Sequence, residues 1–498
     1  MSIEDISKLL EYIEGNLKPK DKEKKERGEV FTPISLIEEM LDKLPSEVWN
    51  NPNLKWLDPA AGIGNFPIVI YLRLMKGLSE DIPDEEARRR HILEKMLFMV
   101  EINPNNVSTL NRIFCGDKYC LNIFEGSFID GNDIDGRPYE RVFNPKMEFD
   151  VVVGNPPYNK GGTGTGNSIW PLFVSKSLKI LKQETGYLTF IHPSGWRKPE
   201  SEKSKYRGLF KLLTSENQMI YLEMHGIKDG QKTFKCGTRF DWYLLQKTKL
   251  FKDTTVKDEI GNLNENVNMG LYPFLPNFNI NLIQKILAKP DENIDMIHIN
   301  LINKVSNLNK KQWNTLDIKK ALYQKPNKKI CTQRIRKSHI ENGDIKEDYD
   351  ETYKYKIIDK INKGHPFPGI YYYNNYKMLD YGKPKIIMCS GGYLMPSLDK
   401  EGVYNISDNM LYILINDLSE YEGLTILINS LLFKYLNKVT MTDSLHGRDL
   451  VIKNIKNITL NNIKCENDIY SQLNITNDEL ELIKNTIFAK PDEKKKLI

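Results

Sequence analysis

Short apolar runs punctuate the first half of the chain: LKWL at 54–57, MLFMV at 96–100, FDVVV at 149–153, YLTFI at 187–191 and MIYL at 219–222. Each run is continuous, without the apolar–polar alternation of a half-exposed strand, which is the pattern of parallel strands covered on both faces. Helical spacing fills the intervals. Strands alternating with helices predict a doubly wound α/β sheet from residue 28 to about 250. In such a sheet ligands bind at the C-terminal ends of the strands, so the residues that follow each run are where chemistry is expected.

Beyond 250 the texture shifts to Asn, Lys, Ile and Tyr, with a helix expected over 422–438, where Leu424, Leu427, Ile428, Leu431, Leu432 and Tyr435 share one face. A domain boundary is therefore expected near 250, with a mixed α/β second domain over 251–498. Ahead of the sheet, Ile3, Ile6, Leu9, Leu10 and Ile13 have helical spacing and the charge block KPKDKEKKER follows at 18–27. Residues 1–27 thus read as a packing helix and solvated linker, unlike a signal peptide. The low-complexity stretch GGTGTG at 161–166 reads as a loop.

A length of 498 residues allows two domains with sizeable cores. Six cysteines form no C-x-x-C pair, and the seven histidines are scattered, so a reduced, metal-free, intracellular protein is expected. No apolar run reaches the roughly 18 residues of a membrane span, which leaves cytoplasm or nucleus. The net charge of +5 is too small to establish a polyanionic partner, but its distribution is uneven. Ten basic residues face only Asp317 between 310 and 337, and eight aromatic residues interleave with lysines between 353 and 381. Basic plus aromatic surface favours nucleic acid, although a Tyr-rich core strand beside a solvated Lys face gives the same pattern.

After the first run the chain reads LDPAAGIGNFP at 57–67. Gly62 and Gly64 permit a tight turn and close approach of a ligand. The loop lacks both the G-x-G-x-x-G spacing and a Walker lysine, which disfavours dinucleotides and nucleoside triphosphates. Asp58, at the strand end, can oppose a cation or accept from an amino group. The second run ends VEINP, placing Glu101 where it can accept from both hydroxyls of a ribose. Together these residues describe a pocket for an adenosyl sulfonium.

The most informative segment is FDVVVGNPPYN at 149–159. Paired prolines cannot continue a central ladder, so Asn155-Pro156-Pro157-Tyr158 should form a rigid turn that aims the Asn carboxamide. An aromatic amine is a poor nucleophile because its lone pair is delocalised. If Asn155 Oδ1 and the Pro156 carbonyl each accept one of its N–H groups, the lone pair is localised and can attack a methyl sulfonium. Tyr158 offers a face on which an extruded base can stack. Phe234 is either a second aromatic wall or a ring packed under a hairpin.

The segment DPAAGIGNF at 58–66, with GEVFTP upstream at 28–33 and N-P-P-Y downstream, resembles the gamma class of amino-group DNA methyltransferases, particularly the Eco57I-like restriction-modification methylases. The resemblance covers about residues 28–250. It implies a seven-stranded Rossmann-like domain binding S-adenosyl-L-methionine and a C-terminal target-recognition domain. It assigns Phe31, Thr32 and Pro33 to the methionine end of the cofactor. Asp58, Pro59, Ala60, Gly62, Gly64 and Asn65 go to its binding loop, Ile102 to its adenine ring, and Asn155 to both cofactor and substrate. Where the family has an acidic residue before Phe or Leu after the third strand, this chain has Ser127 before Phe128, and Asp130 is either the substitute or an ordinary loop carboxylate.

The implied activity is site-specific methylation of adenine N6 in double-stranded DNA, as the modification component of a restriction-modification system or as a solitary methylase. A separate restriction endonuclease is a possible partner. Competing readings are an N-P-P-Y enzyme acting on an RNA base or a protein glutamine, and a catalytically idle DNA-binding homologue.

Overall fold

The computed structural model describes residue 3 and residues 32–129, 143–159, 168–200, 204–288, 346–360, 370–375, 377, 381–389, 397–406, 410–414, 418–440, 455 and 458–488. The expected leader helix apart from Ile3, the linker at 18–27, Phe31, Asp130, the GGTGTG stretch and the basic segment 310–337 lie outside the described residues. The chain divides into two compact units, Met1–Gly270 and Leu271–Ile498.

The apolar runs become the strands of the first unit. These are β1 (Trp56–Asp58), β2 (Leu97–Glu101), β3 (Asn122–Glu125), β4 (Val151–Gly154), β5 (Tyr187–Pro193), β6 (Gln218–His225) and β7 (Phe240–Gln246). Two further strands, β8 (Thr254–Lys257) and β9 (Leu263–Val267), complete one sheet in the order β3-β2-β1-β4-β5-β7-β6-β8-β9. β2, β1, β4 and β5 run parallel, whereas β7 enters antiparallel between β5 and β6. Strands β4 and β1 are buried at every position, as their unbroken apolar runs require.

The strand order reverses between β1 and β4. Right-handed crossovers β1→β2→β3 and β4→β5 therefore place their helices on opposite faces and leave a crevice at that switch point. The helices of this unit include α1 (Ile34–Leu41), α2 (Asn65–Gly77), α3 (Pro104–Ile113), α4 (Trp170–Ile180) and α5 (Ile227–Phe234).

The expected seven-stranded sheet is present as β1 to β7 and is extended by β8 and β9 to nine strands, and the division falls at Gly270, past the expected 250. The reason lies in β8 and β9, which are short and largely polar. In β8 only Thr254 and Val256 are buried. Such strands give little apolar signal, yet they cover the edge of β6, which would otherwise offer unpaired backbone groups.

The second unit is mixed α/β. It holds two three-stranded sheets, one of β10 (Tyr355–Lys360), β11 (Ile370–Asn374) and β14 (Tyr404–Ile406), the other of β12 (Lys385–Cys389), β13 (Ser397–Asp399) and β15 (Met410–Leu414). The single helix expected over 422–438 is two helices, Leu418–Asn429 and Leu431–Thr440. Ser430 makes the break: its Oγ donates to Leu427 O at 2.6 Å and accepts from Phe433 N–H at 3.1 Å, capping the second helix. The apolar periodicity passes through such a cap unchanged, so the pattern alone reads as one helix.

Candidate active site

At the end of β1 the chain turns through Pro59–Gly64 into α2. Gly64 sits at φ +99°, a conformation that L side chains rarely adopt, and donates its N–H to Ala61 O at 2.8 Å. The Asp58 carboxylate beneath this turn is 1% exposed and accepts the Ala60 N–H at 3.0 Å. Burial, aided by the charge of Glu101 and opposed by the Ala60 hydrogen bond, raises the Asp58 carboxyl to about 8. A buried carboxyl in this condition regains its charge when a cation is placed beside it.

At the end of β2, Glu101 Oε2 accepts the Gly62 N–H at 2.8 Å and Oε1 accepts the Asn103 N–H at 2.7 Å. The glycine loop is thereby tied to the neighbouring strand. Ile102, next in the chain, is 46% exposed, a large apolar side chain open to a flat ring beside Glu101. After β3, Gly126 N–H bonds the Glu101 carbonyl at 2.9 Å. Ser127 follows, with its Oγ donating to Ile129 O at 2.6 Å, so toward an amino group it can act only as an acceptor. Phe128 is buried and stacked with Phe143 and Phe173 at centroid distances of 5.5 and 5.4 Å. Its ring belongs to this aromatic packing.

β4 brings the second half of the site against the first. An added Cβ on Gly154 would lie 2.9 Å from Asp58 Oδ1 and 3.6 Å from Pro59 Cδ. The Asp58 carboxyl thus lies close against Gly154, the last residue of β4 before the N-P-P-Y turn, across adjacent parallel strands. Sequence reasoning missed Gly154, although a glycine inside an apolar strand is itself a sign of close approach. Gly154→Ala should push the Asp58 carboxylate out of place. An overpacking cost of about 1–3 kcal/mol in stability is expected, read as a lower midpoint in denaturant unfolding.

Thr32 and Asn65 complete this cluster. Asn155, half-buried, donates from Nδ2 to Thr32 Oγ1 at 3.1 Å, and Asn65 Nδ2 donates to Thr32 O at 3.0 Å. Asn65 is 5% exposed, and its Oδ1 has no hydrogen-bond partner among the described residues. The Pro33 carbonyl accepts from Leu36 and Ile37 N–H at 3.1 Å each, opening α1.

Pro156 is buried, and Tyr158 O accepts the Ile169 N–H at 3.1 Å, fixing the turn from its far side. Burial, with the nearby Cys236 thiol second, pushes the Tyr158 phenol far above its ordinary value. It stays protonated and cannot serve as a general base.

Phe234 meets Tyr158 edge-on, with centroids 6.5 Å apart and planes at 87°, and packs against Phe240 at 4.9 Å. Two perpendicular rings are not parallel walls around a base. Phe234, 5% exposed, meets the Tyr158 ring from the side.

A polar scaffold that no motif announced stands behind the site. Fully buried His192, at the end of β5, stacks on Trp170 at 4.0 Å and lies 3.2 Å from Tyr243 Oη; burial pushes it down to about 3, so it is neutral. Arg197, also fully buried, donates to Asp241 and to Glu259, and Trp196 Nε1 donates to Asp241 at 2.8 Å. These contacts tie the loop after β5 to β7 and to the turn after β8. Among the described residues no helix is long and apolar enough to cross a membrane, and no group of three or more His, Cys, Asp or Glu is placed to hold a metal.

Residues 95–226 match the model of the Eco57I restriction-modification methylase family. An uncharacterized adenine-specific methylase of Mycoplasma pneumoniae is 32% identical over 233 aligned residues, covering 34% of this chain and 55% of that protein. The type II restriction enzyme and methyltransferase RM.Eco57I of Escherichia coli is 25% identical over 289 residues, covering 45% of this chain and 29% of that protein. The chain thus spans about half of the first relative and less than a third of the second. Among solved structures, the type IIL restriction-modification enzyme MmeI in complex with DNA matches at 11% identity and a TM-score of 0.42, over 96% of this chain and 79% of that one. Over residues 95–226 this chain is therefore similar to the Eco57I restriction-modification methylases.

Proposed function

We propose that this protein methylates the N6 amino group of adenine in DNA with S-adenosyl-L-methionine, as the modification component of a restriction-modification system. The observation that carries this reading is the close approach of Asp58 to the residue that leads into the N-P-P-Y turn. A buried carboxyl in need of a cation, Asp58, touches the strand end that bears Asn155-Pro156-Pro157-Tyr158. The donor set suits the cofactor: Asp58 for positive charge, Glu101 for a ribose, and the exposed Ile102 for an adenine ring. The relatives named as an adenine-specific methylase and as a restriction enzyme and methyltransferase support adenine in DNA as the acceptor.

S-adenosyl-L-methionine would supply an electrophilic methyl group. On the protein side, Asn155 Oδ1 and the Pro156 carbonyl accept the two N–H groups of the adenine amine and turn its lone pair outward. Tyr158, neutral and braced by Phe234, stacks on the base once it has left the duplex. No strong base is needed, because the proton leaves to solvent after the nitrogen has gained its methyl group and become acidic. In this reading the second unit recognises double-stranded DNA, and a separate endonuclease completes the system.

The test is transfer of a labelled methyl group to DNA that lacks adenine methylation, with RNA and protein as parallel acceptors. N6-methyladenine in DNA is expected. Label confined to RNA or to glutamine side chains, or no transfer at all, overturns the assignment.

A further inference from the structure

We infer that Thr32 is a positioning residue for the transfer step, acting through Asn155; this rests on the activity proposed above and adds a residue role to it. The resemblance places Thr32 at the methionine end of the cofactor. Its hydroxyl, however, is engaged elsewhere. Thr32 is 3% exposed and its Oγ1 accepts from Asn155 Nδ2 at 3.1 Å.

The two ends of a carboxamide differ little in shape but are opposite in hydrogen-bonding character. An amine to be methylated needs acceptors, so the productive orientation of Asn155 turns its oxygen to the substrate and its nitrogen elsewhere. With Nδ2 held on Thr32 Oγ1, the planar group turns its oxygen away from Thr32. Proline at 156 fixes the backbone that follows, leaving the side-chain torsions as the remaining freedom, and the Thr32 hydroxyl restrains them.

The same residue reaches the cofactor loop by a second route. Thr32 O accepts from Asn65 Nδ2 at 3.0 Å, and Asn65 is the first residue of α2, directly after the glycine turn. Thr32 therefore bridges the loop that begins α2 and the turn that ends β4, two segments 90 positions apart in the chain (65 and 155). Order in the loop is transmitted to the carboxamide through one buried residue.

The experiment compares Thr32→Val, which keeps the shape and removes the hydroxyl, with Thr32→Ser, which keeps the hydroxyl, both in the full chain. Thr32→Val should slow single-turnover methyl transfer about ten- to a hundredfold at saturating cofactor and DNA, the scale of a misplaced catalytic group. Its affinity for S-adenosyl-L-methionine should stay within about threefold, because a side-chain hydrogen bond to the cofactor would be worth more than that. Thr32→Ser should transfer at close to the parental rate. A parental rate in Thr32→Val, equal damage from both variants, or a loss of cofactor affinity that matches the loss of rate overturns the proposal.

Failure of the proposed activity is read separately, from the parent protein on DNA. If the parent uses another acceptor, the same ratio is taken on that acceptor. An unfolding cycle of Thr32→Val, Asn155→Ala and the double variant decides the contact in either case. Coupled effects are expected, and strictly additive ones remove the proposal.

Discussion

Asn155→Ala should abolish most methyl transfer while leaving the cofactor bound. The carboxamide is assigned to the amine of the acceptor, and its Nδ2 is tied to Thr32. Loss of one preorganised hydrogen-bonding group at a reacting centre costs about 10²–10³ in rate, or about 2.7–4 kcal/mol of transition-state stabilisation. Single-turnover measurement isolates this step from product release, and calorimetry reports cofactor affinity in the same preparation. A rate within twofold of the parent would mean that another group localises the lone pair. A parallel collapse of cofactor affinity would mean that Asn155 belongs mainly to the cofactor site.

Cofactor binding should expel a proton and tighten as pH rises. Without a cation Asp58 holds its proton up to about pH 8, because burial raises the carboxyl and the Glu101 charge adds to it. Beside a sulfonium the carboxylate is the favoured form. The bound state therefore carries fewer protons, and by linkage affinity rises with pH until the free group is itself ionised. Below about pH 8 the slope approaches tenfold per pH unit, so affinity should rise by roughly tenfold between pH 6 and 7. Calorimetry in buffers of different ionisation enthalpy counts the proton directly. Asp58→Asn should lose both the proton release and the slope. A parent protein whose affinity is flat from pH 6 to 7.5, with no proton released, would show that Asp58 is ionised before the cofactor arrives.

The two halves of this site differ in how plainly they were written in the chain. Asp58, Glu101 and Asn155 each follow an apolar run, and a strand end in a parallel sheet is where side chains meet ligands. Their candidacy needed only the runs and the turn residues behind them. Phe234 was ambiguous because a ring beside a hairpin looks the same in sequence whether it faces a ligand or a neighbour. Its 87° crossing with Tyr158 is a property of α5 packing on β6 and β7, which no local spacing encodes. Ser127 and Phe128 were placed by analogy with a family pattern that this chain breaks, and their side chains turn to Ile129 O and to a stack of phenylalanines.

By itself the sequence determined the α/β class, the strands β1, β2 and β4 to β6, and the chemistry offered at their ends, because continuous apolar runs and proline or glycine turns are local signals. Only the tertiary structure decided the nine-strand sheet, the break at Ser430 and the division at Gly270, since short polar strands and caps acquire meaning from the neighbours they cover. It also decided which residues touch. Gly154 against Asp58 depends on β1 and β4 being adjacent, and Thr32 against Asn155 brings together positions far apart in sequence. Hydrogen bonds and close contacts of this kind act over about 3 Å, and spacing along the chain carries no record of them.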